Sequence, residues 1–490
     1  MHVKEQAATT VAAWRWRWAA LAALLTAEAM NLLDATVVQV AAPVIRADLG
    51  GADSVVQWVS AAYTLPFAAL LITGGRLGDA LGRKRVFLAG TAVFALASAA
   101  CALAPSTGVL LAARAVQGIA AALVVPQTFG LIKAMFAGPE LARALGSIGP
   151  VMGLAAVCGP VLGSVLTHAD LCGSSWRSVF LVNVPLAAAV LAAAPLLRED
   201  RAAQRPRPDL LGTGLAVLGT ALVVHPLIAG GAAGLPARST AELLAGALVL
   251  VVFALQQRRG ARTGRSPLVE LSLFRGRGFP AALVTSALFF AVVNGLTTVV
   301  VLQLQLGLDS GVLAAGLSLL PWSCALAAAS WAAGAYLVPR HGSRVMFAGL
   351  AVLLAGLLCA LAAYHAARPG CYPWPLLAAL AVAGAGNGLF TVPFFAAALS
   401  RVRPHETGSA AGLLNAVQQF GGTLGIALLG SVFFRALSSG APGAGSLAGA
   451  RHAVWLAAGL LAAAAAAAAL LHADGRSRPV PPGPTAGTVM

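Results

Sequence analysis

Charge is scarce in this chain. Asp, Glu, Lys and Arg make up 10% of its 490 residues, against 59% hydrophobic ones, where a soluble domain carries about 25% charged residues. So few charges cannot cover a water-facing surface, which excludes a soluble globular fold. Disorder is excluded too, because it requires low hydrophobicity. Lysine is nearly missing: Lys4, Lys84 and Lys133 are the full set, and none follows glycine. No G-K-[ST] P-loop therefore exists to hold ATP. H-E-x-x-H and the G-x-S-x-G elbow are absent, and the six cysteines form no CxxC pair. Neither an enzyme, nor a metal site, nor a cofactor is expected. Cys172 and Cys371 lie in breaks between apolar runs and are the candidates for a disulfide in an oxidising space.

Long apolar runs take the place of charge, which makes the chain an all-α polytopic membrane protein. Fourteen candidate spans are predicted: 19–40, 54–75, 86–104, 108–131, 143–167, 179–197, 210–230, 240–257, 279–302, 311–338, 345–366, 373–400, 408–434 and 452–472. Their length of about 20 residues is helical; outer-membrane strands would alternate over about 10. The net charge of +16 would suggest nucleic acid on a soluble chain. With the N-terminus in the cytoplasm, however, 25 of the 32 basic residues fall inside and 6 outside, with Arg114 within a span. That is the positive-inside rule with both termini cytoplasmic, in the inner or plasma membrane. No nucleic-acid partner is then expected, and the 258–277 loop is a mild candidate for anionic lipid headgroups. The loops are too short for a soluble domain. The tail 473–490, rich in Pro and Gly, is expected to be disordered.

A charge at the bilayer centre is expensive, so an intramembrane ionisable residue is a functional candidate. Glu28, Asp34 and Arg114 are the strong ones. Glu28, Asn31 and Asp34 recur every third residue of span 1 and form a slowly drifting polar stripe, expected to face a cavity. Either carboxylate suits proton coupling, or is permanently paired with Arg114. Arg114, followed by Gln117 and Gly118, is either a hub for backbone carbonyls or the charge partner of the acids. His225 in span 7 is a lesser candidate. Asn294, Asn387, Asn415, Gln418 and Gln419 line the cavity or bond neighbouring helices, with Asn31, Gln117, Asn294, Asn387 and Gln418 assigned to the cavity. Phe289, Phe290, Phe394 and Phe395 suit apolar rings or packing.

Glycine and proline are placed with purpose. Gly75, Gly78 and Gly82 surround Asp79 before Arg83, Lys84 and Arg85, where glycine permits a tight turn and Asp79 and Arg83 are spaced to pair. Span 5 holds Gly146, Gly149-Pro150, Gly153, Gly159-Pro160 and Gly163. Two Gly-Pro pairs in one span predict a kink and a flat packing face.

These motifs resemble the major facilitator superfamily, in its fourteen-span drug:proton antiporter branch, over essentially the whole chain. The run from Gly75 through Asp79, Gly82 and Arg83 to Lys84 is similar to the loop 2–3 motif. Leu33-Asp34-Ala35-Thr36 is similar to the span 1 motif, with Gln39 where Asn is usual. Arg114-Ala-Val-Gln117-Gly118 is similar to the span 4 motif, whose Arg is implicated in proton transfer. Gly159-Pro160-Val-Leu-Gly163 is similar to the span 5 antiporter motif, with Ser164 and Ala155 departing from it. Trp176-Arg177 through Asn183 to Pro185 is similar to the start of span 6. The resemblance implies a six-helix bundle at 19–197, two inserted helices with linkers at 198–278, and a second bundle at 279–472. It implies that Asp79 docks near Thr407-Gly408 and locks the outward-open state. Aligning Gly342 with Gly82 puts Pro339 at Asp79, so gating concentrates in the first half. The implied activity is proton-driven export of a hydrophobic or amphipathic small molecule, such as an antibiotic, by a monomer that needs only the bilayer, the substrate and the proton gradient. A facilitator or symporter is the alternative; a membrane receptor would normally carry a soluble domain, which is lacking.

Overall fold

The computed structural model describes residues 16–170, 173–200, 209–229, 237–262, 270–400, 402–403, 406–439 and 443–473. Cys172, and with it the disulfide expected with Cys371, lies outside the described residues, as does the tail from 474. Among the described residues fourteen helices are long and apolar enough to cross a membrane. They are α1 (Arg17–Leu49), α2 (Val55–Leu81), α3 (Arg83–Ala102), α4 (Thr107–Met135), α5 (Gly138–Ala169), α6 (Ser175–Ala192), α7 (Leu210–Ala229), α8 (Ala237–Gly260), α9 (Gly278–Gly307), α10 (Val312–His341), α11 (Arg344–Ala366), α12 (Pro375–Leu399), α13 (Ser409–Ser439) and α14 (Ala444–His472). The protein is thus a multi-pass membrane protein. Its arginine-rich end carries Arg83, Lys84, Arg340 and Arg344, and its far end carries Asp48 and Trp176.

Several boundaries differ from those predicted. α1 continues past residue 40 to Leu49 because its polar last turn is held at the far end: Asp48 Oδ2 accepts from Trp176 Nε1 and from Arg177, each at 2.9 Å. α9 runs on through a π-helical turn, Gln303–Gly307, and a second such turn, Ala333–Leu337, lies in α10. Span 5 is broken at Ser147 into Gly138–Gly146 and Ile148–Ala169. Gly149-Pro150 therefore sits in the first turn of a new helix, where proline is tolerated, instead of kinking a continuous one. α2 and α3 are separated by Gly82 alone, whose φ of +110° is open to glycine and costly for other residues.

Helix neighbours repeat between the two halves. α2 and α3 pack on α4, and α1 packs on α5 and α6, as α10 and α11 pack on α12, and α9 on α13 and α14. Two six-helix bundles related by a pseudo-two-fold result, with α7 and α8 inserted between them. Small residues set the closest approaches, as expected where lipid removes the hydrophobic drive between helices. A methyl placed on Gly386 of α12 would collide with the Leu353 backbone of α11, and one on Gly118 of α4 with the Tyr63 carbonyl of α2.

The inserted pair is tied to the first bundle at both ends of α7. Thr73 and Thr213 share a hydroxyl bond of 2.7 Å near the arginine-rich end, and Trp58 lies against His225 near the far end. His225 faces Glu242 of α8 at 2.8 Å, so it is a hairpin residue and not a cavity one. Asp209 caps α7 by accepting from the Gly212 amide and from Gln256 and Gln257 of α8. Burial alone would raise the Asp209 carboxyl, but these bonds and Arg76 outweigh it and hold it below its ordinary value. The outer face of α8 shows Leu244, Leu248, Val251 and Leu255 to lipid.

Gly386→Val should force α11 and α12 apart, at a cost of about 2 kcal/mol or more. The full-length protein in detergent should then melt several degrees lower. An unchanged melting temperature would show that this contact is not needed.

Candidate functional site

A cavity of about 360 Å³ lies between the bundles, bounded by α1, α2, α4, α5, α9, α10, α12 and α13. It is sealed on the far side by neutral hydrogen bonds across the halves. Gln57 of α2 donates to the carbonyls of Ile426 and Ala427 on α13 at 2.9 and 3.1 Å. Thr64 meets Thr423 at 2.6 Å, and Gln305, on the π turn of α9, donates to the Val40 carbonyl at 2.9 Å. From this seal the lining extends to Phe129, Ile148 and Asn415, toward the arginine-rich end.

The antiporter-like motif of α5 forms part of the same seal. A methyl on Gly159 would meet the Thr36 hydroxyl of α1, and one on Gly163 the Val37 carbonyl. On the opposite side, Gly316 of α10 fits against Ser164 and the Pro160 carbonyl. One short segment thus packs on both halves. Gly149 and Gly153, by contrast, face open space, so the close-packing face expected along all of span 5 is confined to its far half.

Behind the cavity is a fully buried polar cluster. Arg114 of α4 places one guanidinium nitrogen 2.5 Å from Asp34 Oδ2 and 2.9 Å from Gln117 Oε1, and donates through Nε to the Val59 carbonyl at 3.1 Å. Its guanidinium lies 4.5 Å from the centre of the Tyr63 ring, a cation–π contact. Asp34 Oδ1 accepts from Gln117 Nε2 at 3.1 Å and Asn183 Nδ2 at 2.8 Å. Gln117 also donates to Ser98 at 2.7 Å and accepts from the Cys101 thiol at 3.3 Å. Five helices of the first bundle are bonded in this way around one ion pair.

The predicted site residues divide accordingly. Glu28, Asn31, Arg114, Asn294, Asn387 and Gln418 line the cavity, as do Asn415 and Gln419. Asp34 and Gln117 do not: both are at most 1% exposed and belong to the cluster. The reason is geometric. Six helical residues turn about 600°, or 120° short of two full turns, so the stripe that starts at Glu28 has left the cavity face by Asp34. Glu28 differs in chemistry as well, since its Oε1 is buried with no hydrogen-bond partner among the described residues. Ser98 and Tyr63 are not singled out by the sequence, and Asn183 appears there only within the span 6 motif, with no site role. Asn183 carried a usable signal, a carboxamide within an apolar span; Ser98 and Tyr63 carried none, because hydroxyls are ordinary in membrane helices. Of the aromatics, Phe290 lines the cavity, while Phe289 stacks on Phe390 in the core with ring centres 3.8 Å apart and Phe394 is fully buried.

At the arginine-rich end, Asp79 accepts from Arg83 at 2.8 Å. Arg83 also reaches Asp200 at 2.6 Å, and its amide donates to the Asp200 carbonyl. The Lys84 amide donates to Glu199. The loop between α2 and α3 is thereby fastened to the segment after α6. The expected docking site of Asp79, the side chains at Thr407-Gly408, lies outside the described residues.

Two pseudo-symmetric helix bundles around a cavity with a one-sided seal define a class, the polytopic membrane transporters. The chain belongs to the Major Facilitator Superfamily, whose sequence model matches residues 24–426. It is similar to a probable actinorhodin transporter of Streptomyces coelicolor, at 45% identity over 86% of this chain and 73% of that one. It is also similar to the puromycin resistance protein pur8 of Streptomyces alboniger, at 36% over 85% and 82%, and to the cephamycin export protein CmcT of Amycolatopsis lactamdurans, at 36% over 84% of each. Among solved structures, a crystal structure of tetrameric PepTSo2 superposes with a TM-score of 0.63 at 15% identity, over 93% of this chain and 98% of that one. That likeness is one of fold.

Removing one member of a buried ion pair strands its partner, at about 3–5 kcal/mol. Asp34→Asn should therefore lower the melting temperature of the detergent-solubilised protein more than Asp34→Asn combined with Arg114→Gln. A single variant at least as stable as the double would show that the pair does not hold the bundle.

Proposed function

We propose that this protein exports a hydrophobic or amphipathic small molecule of the antibiotic or drug type across the cell membrane by alternating access, driven by protons. The observation that carries this reading is Glu28 on the cavity wall, whose buried Oε1 has no hydrogen-bond partner among the described residues, set beside an Asp34 that already accepts three hydrogen bonds. Protonating Asp34 would break bonds to Arg114, Gln117 and Asn183, whereas a proton on Glu28 Oε1 displaces none. Glu28 is therefore the proton carrier, and Asp34 with Arg114 is the fixed frame beside it. The resistance and export proteins among the relatives support the direction and the substrate type.

Orientation follows from charge. The excess of basic residues places the arginine-rich end, and both termini, in the cytoplasm. The cavity then faces the cytoplasm, as capture of a cytoplasmic substrate requires. Proton arrival from outside at Glu28 accompanies substrate release, and proton loss inside resets the carrier.

In everted vesicles that hold the protein, substrate accumulation should stop when the pH gradient is collapsed. Glu28→Gln should abolish gradient-driven accumulation, by tenfold or more, while the protein still folds and still exchanges substrate down its concentration gradient. Accumulation that persists without a gradient, or that is unchanged in Glu28→Gln, would overturn the coupling. Uptake in the opposite direction would overturn export.

A further inference from the structure

The cavity has two unlike walls. On α13, Asn415, Gln418 and Gln419 are spaced i, i+3 and i+4, which puts their side chains on one helix face, about 5–6 Å apart, and all three line the cavity. None of the three side chains bonds another described residue. Each carboxamide offers one acceptor oxygen and two donor hydrogens without carrying charge. Gly422, one turn further on, leaves the space that Asn294 fills. α4 and α5 add Val125, Phe129, Ile148 and Met152 to the same lining, all four with apolar side chains.

The charge inventory is equally one-sided. Among the described lining residues the one cation is Arg114, and it is paired with Asp34. An anionic ligand therefore finds no free positive partner. A cationic ligand finds only Glu28, which in the export reading is occupied by the transported proton. Unpaired carboxamides are instead matched by carbonyl and hydroxyl oxygens, and the apolar wall by a ring face. Sites of this kind use a few placed polar groups to orient a mainly apolar ligand.

Resting on the efflux reading, we propose that the substrate is an uncharged, flat, polycyclic aromatic molecule with carbonyl and hydroxyl oxygens along one edge. Its ring face lies on Phe129 and Met152, and its oxygens bond the ladder of Asn415, Gln418 and Gln419. The ladder is then the element that determines specificity, separate from the carboxyl that carries the proton.

The probe is daunomycinone, a neutral fluorescent hydroxylated tetracycle, with ethidium as an aromatic cation that lacks such oxygens. The full-length wild type in detergent should bind daunomycinone, and Gln418→Leu/Gln419→Leu should weaken binding about tenfold, the value of one to two neutral hydrogen bonds. The melting temperature should stay unchanged. If the double variant does not fold, Asn415→Ser replaces it, with a severalfold loss expected. Wild-type affinity in a folded ladder variant overturns the proposal, as does wild type that binds ethidium but not daunomycinone. The efflux reading is judged separately in vesicles: export of ethidium without daunomycinone leaves that reading standing and this one refuted. Daunomycinone bound through the ladder while energised vesicles move neither compound supports the ladder and refutes efflux.

Discussion

A lone charge in the middle of a membrane helix costs at least ~2.5–3.5 kcal/mol on insertion scales, and the first bundle is organised around removing that cost for Arg114. The guanidinium is matched by Asp34, and the two are further bonded by Gln117, Asn183 and the Val59 carbonyl. These partners come from α1, α2, α4 and α6, with Ser98 and Cys101 of α3 closing the ring through Gln117. Each such bond is modest in isolation, but in a low-dielectric interior a network is high-stakes, since any missing member leaves another unsatisfied. The helices of this half are thereby fixed relative to one another, and it is against this frame that Glu28 presents a carboxyl with a free oxygen. Among the described residues the second bundle has no counterpart of this buried ion pair. Its interior is closed by the Phe289–Phe390–Phe394 stack and by glycine contacts.

Much of the fold is legible in the sequence because bilayer thickness fixes the period of the apolar runs, and basic loops punctuate them. Fourteen spans and their order can be read in this way. What cannot be read is where a helix continues past the apolar region. α1 and α9 run on because of tertiary bonds, Asp48 to Trp176 and Gln305 to Val40, that no local pattern announces. The break at Ser147 is hidden for the same reason: glycines at 146, 149 and 153 look like a packing face, and only the structure shows that no other described residue lies within contact of a methyl placed there.

The site is legible in its membership and less so in its division of labour. Scarcity of intramembrane charge singles out Glu28, Asp34 and Arg114. A three-residue spacing makes the two acids look equivalent, whereas a 120° drift puts one on the cavity and the other behind it. Gln117 follows Asp34 for the same reason. Asn183 is legible as part of the span 6 motif and by the rule that flagged Asn294 and Asn387, but its contact with Asp34 depends on α6 returning beside α1, which is a property of the bundle and not of the segment.

The seal on the far side is made of neutral groups: Gln57, Thr64, Thr423 and Gln305 bonded to one another or to carbonyls, with Ser431 of α13 donating to the Leu227 carbonyl of α7 at 2.7 Å. Breaking and remaking such bonds moves no charge through the membrane field, and the Arg114–Asp34 pair sums to zero wherever it sits. With Glu28 as the proposed proton carrier, the electrical work of the cycle falls on whatever occupies that carboxyl. A membrane potential does about 2.3 kcal/mol of work per elementary charge per 100 mV. With an uncharged substrate, the carrier returns either with Glu28 neutral and voltage-blind or with Glu28 ionised and voltage-driven. In the proposed cycle a single side chain thereby sets whether the transporter draws on the pH difference alone or on the full electrochemical gradient.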